Sequence, residues 1–284
     1  MPRRRQPTAR QERLGVELRK LREAAGLKAR EAATLIGSDS AQMSQMESGV
    51  AGVSEGRLRS LAAHYSCEDQ ELIEGLVAMA TDRTRGWWED YRGKLPTPFL
   101  DIAELEHHAT YRLDVEFLNV PGLLQTEDYA QGVFSYRVPE LPRAETRLRV
   151  EHRMRRRDAI EGPAVMPYKA VIHEAALRIR VGDRAAARTQ LTRVLELSEA
   201  DHITVRVIPF DLDDFGGAWS TMMYAGGAVP KLDTVVRDSG ANGTAFVDSE
   251  AQLGAFRTLF RKIEAVSLEP ERSRDFIHRL TKEL

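Results

Sequence analysis

Cysteine is almost missing from this chain: Cys67 is the one thiol in 284 residues. A single thiol excludes an internal disulfide and a cysteine zinc cluster, and with no histidine beside it in the sequence it reads as a structural or incidental residue. Long apolar runs are missing too. None approaches the roughly 18–20 residues of a membrane span, and the opening MPRRRQPTARQ lacks the apolar segment of a signal peptide. A cytoplasmic protein with no membrane contact is expected.

Catalytic signatures are equally scarce. His173-Glu174 begins like the HExxH of a zinc protease, but Leu177 stands where the second histidine belongs. Asp211, Asp213 and Asp214 lack the further acidic ligands of a calcium loop and read as an exposed acidic turn. Gly216-Gly217 and Gly226-Gly227 form no G-x-G-x-x-G phosphate loop, and no Ser/His/Asp order is recognisable. His107, His108 and His152 have no metal-ligand spacing and read as surface or packing residues. The expectation is a protein that is not an enzyme and uses neither cofactor nor metal.

What is present is a charge asymmetry. The chain as a whole carries a net charge of −2, but residues 1–66 hold 12 Lys/Arg against 7 Asp/Glu, net +5, which leaves the remainder at −7. A basic N-terminal module on an acidic body fits a protein that docks on phosphates with one end. Arg3-Arg4-Arg5 precede it on an arm that reads either as a solvated tail or as a minor-groove contact.

The basic part has the pattern of short helices. Leu14, Leu18 and Leu21 repeat at helical spacing and Gly26 closes the first helix. A second spans about Ala29 to Ile36 and ends at Gly37. Asp39 stands at an N-cap, able to accept from Ala41 or Gln42, and a third helix runs to about Glu47 before Gly49. Met43 and Met46 share its inner face. Ser40, Ala41, Gln42, Ser44 and Gln45 are left pointing outward on the helix that would enter the major groove, where glutamine can bond an adenine edge twice and an alanine methyl can touch a thymine methyl. Lys28 and Arg30, opening the second helix, are placed for phosphate. Two further helices follow, from Ser54 and over about residues 68–82, the last with an apolar face wide enough to join domains or subunits.

The run LRKLREAAGLKAREAATLIGSDSAQMSQMESG resembles the lambda-repressor-like, Cro/CI-type (xenobiotic response element) helix-turn-helix. The resemblance implies a five-helix domain, a pair between Glu47 and Arg22, and base-reading positions at Ser40, Ala41 and Gln45. Ala29 stands where that family often has a phosphate-binding glutamine, which shifts phosphate contact to Lys28 and Arg30.

Residues 83–98, with Trp87, Trp88 and Tyr91 among Gly, Pro and charge, form an aromatic-rich connector. The tryptophans read either as a ligand-stacking cage or as anchors packing a linker onto a core. Beyond it, Tyr111, Leu113, Val115 and Phe117 alternate with Arg112, Asp114 and Glu116, the pattern of a half-buried strand. Seven arginines fall within residues 143–157, among them Arg155 and Arg156, on a helix that either binds an acidic or nucleotide partner or pairs with the domain's carboxylates. Strands at Val171-Ile172, 203–208, 219–224, 234–237 and 244–247, with helices at about 184–198, 249–265 and 270–282, make an α+β body. The combination of GWWEDYR, LNVPGLLQTEDYA, RLRVEHRMRRR, VIHEAALR and SLEPERSRDFIHRL resembles the large antitoxin-like domain, of unknown function, that follows the helix-turn-helix in many actinobacterial regulators.

The fold expected is therefore an all-α lambda-repressor-like N-terminal domain over residues 1–82 and an α+β effector or partner-binding domain over 99–284. The leading functional reading is a sequence-specific regulator binding double-stranded DNA as a homodimer on a palindromic operator. An alternative is an antitoxin-like module that sequesters a small partner protein encoded nearby and uses DNA binding for autoregulation. A third is small-molecule sensing through Trp87, Trp88 and Trp219.

Overall fold

The computed structural model describes residues 7–213, 215–216, 221–238 and 244–284; Arg3–Arg5, Asp214, Gly217 and Trp219 lie outside the described residues. The chain divides into two compact units. One comprises Met1–Glu89 with Ala228–Leu232, the other Asp90–Gly227 with Asp233–Leu284.

The first unit holds α1 (Ala9–Ala24), α2 (Ala29–Leu35), α3 (Ser40–Glu47), α4 (Glu55–His64) and α5 (Gln70–Thr81). Local chemistry sets their ends. The Thr8 hydroxyl accepts from Gln11 N–H while the Gln11 side chain accepts from Thr8 N–H, a reciprocal cap on α1. Asp39, Ser54 and Asp69 cap α3, α4 and α5 through the N–H groups of Gln42, Arg57 and Leu72. Gly37 turns the chain between α2 and α3 at φ +63, a conformation that favours glycine. The core is built from Leu14, Leu18, Ala32, Ala33, Met43, Met46, Leu58, Leu61 and Leu76. Gly15 lets α1 touch the end of α3: a β-carbon there would lie 2.5 Å from the Glu47 carbonyl oxygen.

This unit also contains a piece of chain from far downstream. Val229 and Leu232 pack against its core, and a β-carbon on Gly75 would lie 2.7 Å from Leu232 Cδ1. Arg13 Nη2 donates to the Lys231 carbonyl at 2.6 Å, and Lys231 Nζ pairs with Asp69 at 2.8 Å. The broad apolar face read from the sequence of α5 is thus partly occupied by a five-residue tip.

The second unit is an α+β body around a six-stranded mixed sheet of order β3-β2-β1-β4-β5-β6. Strands β1 (Tyr111–Glu116), β2 (Tyr168–His173) and β3 (Ile203–Ile208) are parallel. Strands β4 (Met222–Gly226), β5 (Thr234–Asp238) and β6 (Thr244–Val247) are antiparallel, with β4 pairing to β1. The helices are α6 (Thr97–His108), α7 (Glu127–Ser135), α8 (Arg143–Arg155), α9 (Asp158–Glu161), α10 (Glu174–Arg178), α11 (Arg184–Leu197), α12 (Glu250–Val266) and α13 (Pro270–Glu283). Tyr168, Ala170, Ile172, Val205 and Val207 join Leu191, Val194 and Ile277 of α11 and α13 in one core. Val115, Val171, Tyr224 and Val235 meet Leu253, Phe260 and Ile263 of α12 in another. Helices therefore cover both faces of the sheet.

That coverage corrects the half-buried reading of β1. Tyr111, Leu113 and Val115 do share the α12 side, but Arg112 and Asp114 are buried as well. They survive burial because their charges are paired: Arg112 bonds Asp114 at 2.7 Å and Glu106, Arg156 donates twice to Glu106, and Tyr168 donates to Asp114 at 2.6 Å. Burial works against the charge of Glu106, yet Arg156 and Arg112 outweigh it and hold this carboxyl below its usual range.

Candidate nucleic-acid interface

The geometry of the α2–α3 pair follows from three features. Gly37 makes the turn, Asp39 Oδ1 accepts from Gln42 N–H at 2.7 Å to start α3, and Met43 and Met46 anchor its inner face in the core. The far end is held by Arg22 of α1, which grips Glu47 with Nε–Oε1 at 2.5 Å and Nη2–Oε2 at 2.9 Å and also donates to the Leu27 carbonyl at 2.7 Å. The hydrogen bond to Glu47 raises the Arg22 pKa further, so the guanidinium stays charged.

Ser40, Ala41, Ser44 and Gln45 are exposed on the outer face of α3. The Gln45 backbone carbonyl accepts from Ala51 N–H and Ser48 Oγ, and its carboxamide has no partner among the described residues, which leaves it for an outside one. Gln42 differs: it is half-buried and its Oε1 accepts from Ser38 at 2.5 Å. Its amide donor alone remains for an outside acceptor, and the bond to Ser38 fixes which way the group faces. Lys28 and Arg30 are exposed at the start of α2. Lys28 N–H donates to Glu31 Oε2 at 2.6 Å, which closes the helix start and leaves the ammonium in solvent. Together these side chains offer donors and acceptors of base-edge type beside cations of phosphate type.

The other residues singled out in the sequence have different surroundings. Trp88 is 2% exposed and meets Trp87 edge-to-face at 6.2 Å and 74°. Two rings so arranged leave no parallel slot, and the anchoring reading is the one this geometry fits. Arg156 is buried on Glu106, which leaves its guanidinium no free fork for a ligand. Arg155 is partly exposed, pairs with Asp90 at 3.1 Å and lies over the Tyr91 ring. Along the same helix Arg149 pairs with Glu145, while Arg153 donates to Gln125 and lies over Phe134; past its end, Arg157 pairs with Glu161 of α9. Most of the arginine run is thus spent inside the domain; Arg143 and Arg147 remain exposed with no partner among the described residues. His173 Nδ1 accepts from Ala175 N–H at 3.2 Å, capping α10. Among the described residues, no group of three His, Cys, Asp or Glu is placed to hold a metal ion, and no helix is long and apolar enough to cross a membrane. Sequence reasoning missed Gly15 and Ser38, both visible only once α1 and α3 are in place.

Residues 13–76 match a family described as a helix-turn-helix domain, the module on which DNA-binding regulators are built. Residues 99–279 match the family described as a domain of unknown function (DUF5753), and the chain belongs to that family. No curated protein and no solved structure matches this chain.

Proposed function

We propose that this chain is a sequence-specific transcription regulator of the Cro/CI type, working in the cytoplasm as a homodimer on a palindromic operator, without catalytic activity. The observation that carries the reading is the outer face of α3: an uncommitted Gln45 carboxamide beside exposed Ser40, Ala41 and Ser44, on a helix capped by Asp39 and clamped by Arg22–Glu47. Two such helices in a dimer would sit about 34 Å apart, one turn of DNA. Lys28 and Arg30 supply attraction to phosphate; Gln45, with the Gln42 amide, supplies selectivity. In this reading the C-terminal domain receives the signal that modulates binding.

The test is selection of bound sequences from a random duplex pool with the intact chain and with Gln45→Ala. Enrichment of a palindrome that loses definition in the variant supports the proposal, and an unbiased pool from the intact chain overturns it.

A second reading, an antitoxin-like module for a small partner protein, is favoured by one feature. Tyr136 and Val138, between α7 and α8, are 92% and 98% exposed, close in sequence to the unpaired Arg143 and Arg147. Exposed apolar side chains mark a partner-binding surface where they join in one patch, and these two stand two residues apart. Co-purification of a small neighbour-encoded protein, lost in Tyr136→Ser/Val138→Ser, would support it.

A further inference from the structure

The three parallel strands end on one edge of the sheet, and there the chain assembles an aromatic cup. Phe117 follows β1, His173 closes β2, and Phe210 and Phe215 follow β3. The His173 ring lies 5.8 Å from Phe117, 5.2 Å from Phe210 and 6.3 Å from Phe215, edge-on to Phe210 at 78° and stacked on Phe215 at 21°. Phe117 and Phe215 also pack against the α12-side core. Phe210 is held from behind, its N–H donating to Glu174 Oε2 at 2.8 Å, yet it is 59% exposed, and Leu118 beside Phe117 is 62% exposed. Aromatic surface anchored by the backbone and still open to solvent is poised for a ligand.

One polar group stands at the centre. Nδ1 of His173 accepts from Ala175 N–H, which fixes the ring proton on Nε2, and Nε2–H has no hydrogen-bond partner among the described residues. Burial lowers the pKa of His173, so the ring is neutral at physiological pH. The charge around it selects against ions. Glu174 pairs with Arg178 at 2.5 Å and, with the exposed Asp211 and Asp213 on the same segment as Phe210 and Phe215, opposes an anion, while the Nε2–H donor opposes a cation. The topology agrees. The chain steps from β1 outward through β2 to β3, then returns to place β4 on the other side of β1. In open sheets with parallel strands, ligands gather at the carboxyl ends, where Phe117, His173 and Phe210 stand.

We propose that this cup is the small-molecule site of the C-terminal domain and takes a neutral, flat, largely apolar molecule whose single acceptor bonds His173 Nε2–H while its ring lies against Phe210 and Phe117. The proposal rests on the reading of this domain as a signal receiver and replaces the tryptophans as the sensing residues.

The experiment uses the intact chain labelled with 15N-histidine and titrated with acetophenone, with ethylbenzene and benzoate as comparators. A saturable change at the His173 imidazole, apart from the other six of seven histidines, is expected with acetophenone. Ethylbenzene, lacking the acceptor, should bind about three- to tenfold more weakly, and benzoate more weakly still. Phe210→Ala, at an exposed position that leaves the fold intact by circular dichroism, should weaken acetophenone roughly tenfold, whereas Val266→Ala at another exposed apolar position should leave it unchanged. No saturable change at His173 up to about 10 mM acetophenone, or a change that persists in Phe210→Ala, overturns the proposal. The random-duplex selection is run without ligand on the same preparation: an enriched operator alongside a silent cup sinks the cup alone, and an unbiased pool alongside a responsive cup sinks the regulator reading alone.

Discussion

Arg22 and Glu47 form a two-point ion pair that ties the last turn of the DNA-binding unit's first helix to the last residue of its third, with both side chains only 9% exposed. Removing one partner takes from the other the counter-charge that offsets its burial. Arg22→Ala is expected to destabilise the first unit by about 3 kcal/mol, and Glu47→Gln by a similar amount. Replacing both by Met and Leu should cost far less than the two single changes combined. Urea denaturation of the four proteins makes the comparison, and additive losses would show that the pair is not coupled.

Gln45 and Lys28 are expected to fail in different ways. Gln45→Ala should cost about 1–3 kcal/mol on the selected operator and almost nothing on random duplex. Lys28→Ala should weaken both alike and reduce the slope of log affinity against log salt by about one. Titrations at several salt concentrations separate the two, and equal losses on both DNAs for Gln45→Ala would remove it from base reading.

Gly15→Ala sets helix propensity against packing. Alanine is the better helix former by about 1 kcal/mol, but its β-carbon would lie 2.5 Å from the Glu47 carbonyl oxygen, which is backbone and cannot swing aside. Packing should win, with a net loss of about 1–3 kcal/mol. Because the strain falls at the end of α3, operator affinity should drop as well. A neutral or stabilising result in thermal denaturation would mean that α1 and α3 separate easily.

His152 gives the second unit a pH dependence. Its ring is buried between Tyr91 and Phe99, and burial followed by the neighbouring Arg156 pushes its pKa down to about 3. The unfolded chain binds this proton near pH 6.5. Its contribution is therefore complete above about pH 6.5 and is lost progressively as pH falls toward 3. The fall in urea midpoint between pH 7 and pH 4 should be steeper for the natural chain than for His152→Phe. Parallel curves would show that His152 is protonated in the folded state.

Much of the helical unit is legible in the sequence because its signals are local. Asp39, Ser54 and Gly37 act on groups within a few residues, and the Met43/Met46 spacing names its own inner face. β1 shows where legibility stops. Alternation assigns Arg112 and Asp114 to one face, but only the strand order and the position of Glu106 and Arg156 reveal that this face is covered and the charges paired. His173-Glu174 and the Phe210–Phe215 segment look in the sequence like a failed zinc site and an acidic turn. Their meeting depends on β2 and β3 being parallel neighbours, a relation made across more than thirty residues with no local trace. The arginine run is ambiguous for the same reason: its partners Asp90, Glu106 and Gln125 lie on other elements.

The tip at Ala228–Leu232 bears on inheritance. A recombination that exchanged only the first 89 residues for another helix-turn-helix would leave Val229 and Leu232 without the hollow at Gly75 that receives them. The module is cut from two places in the gene, so positions 75 and 232 should drift together among relatives, a larger residue at one answered by a smaller one at the other.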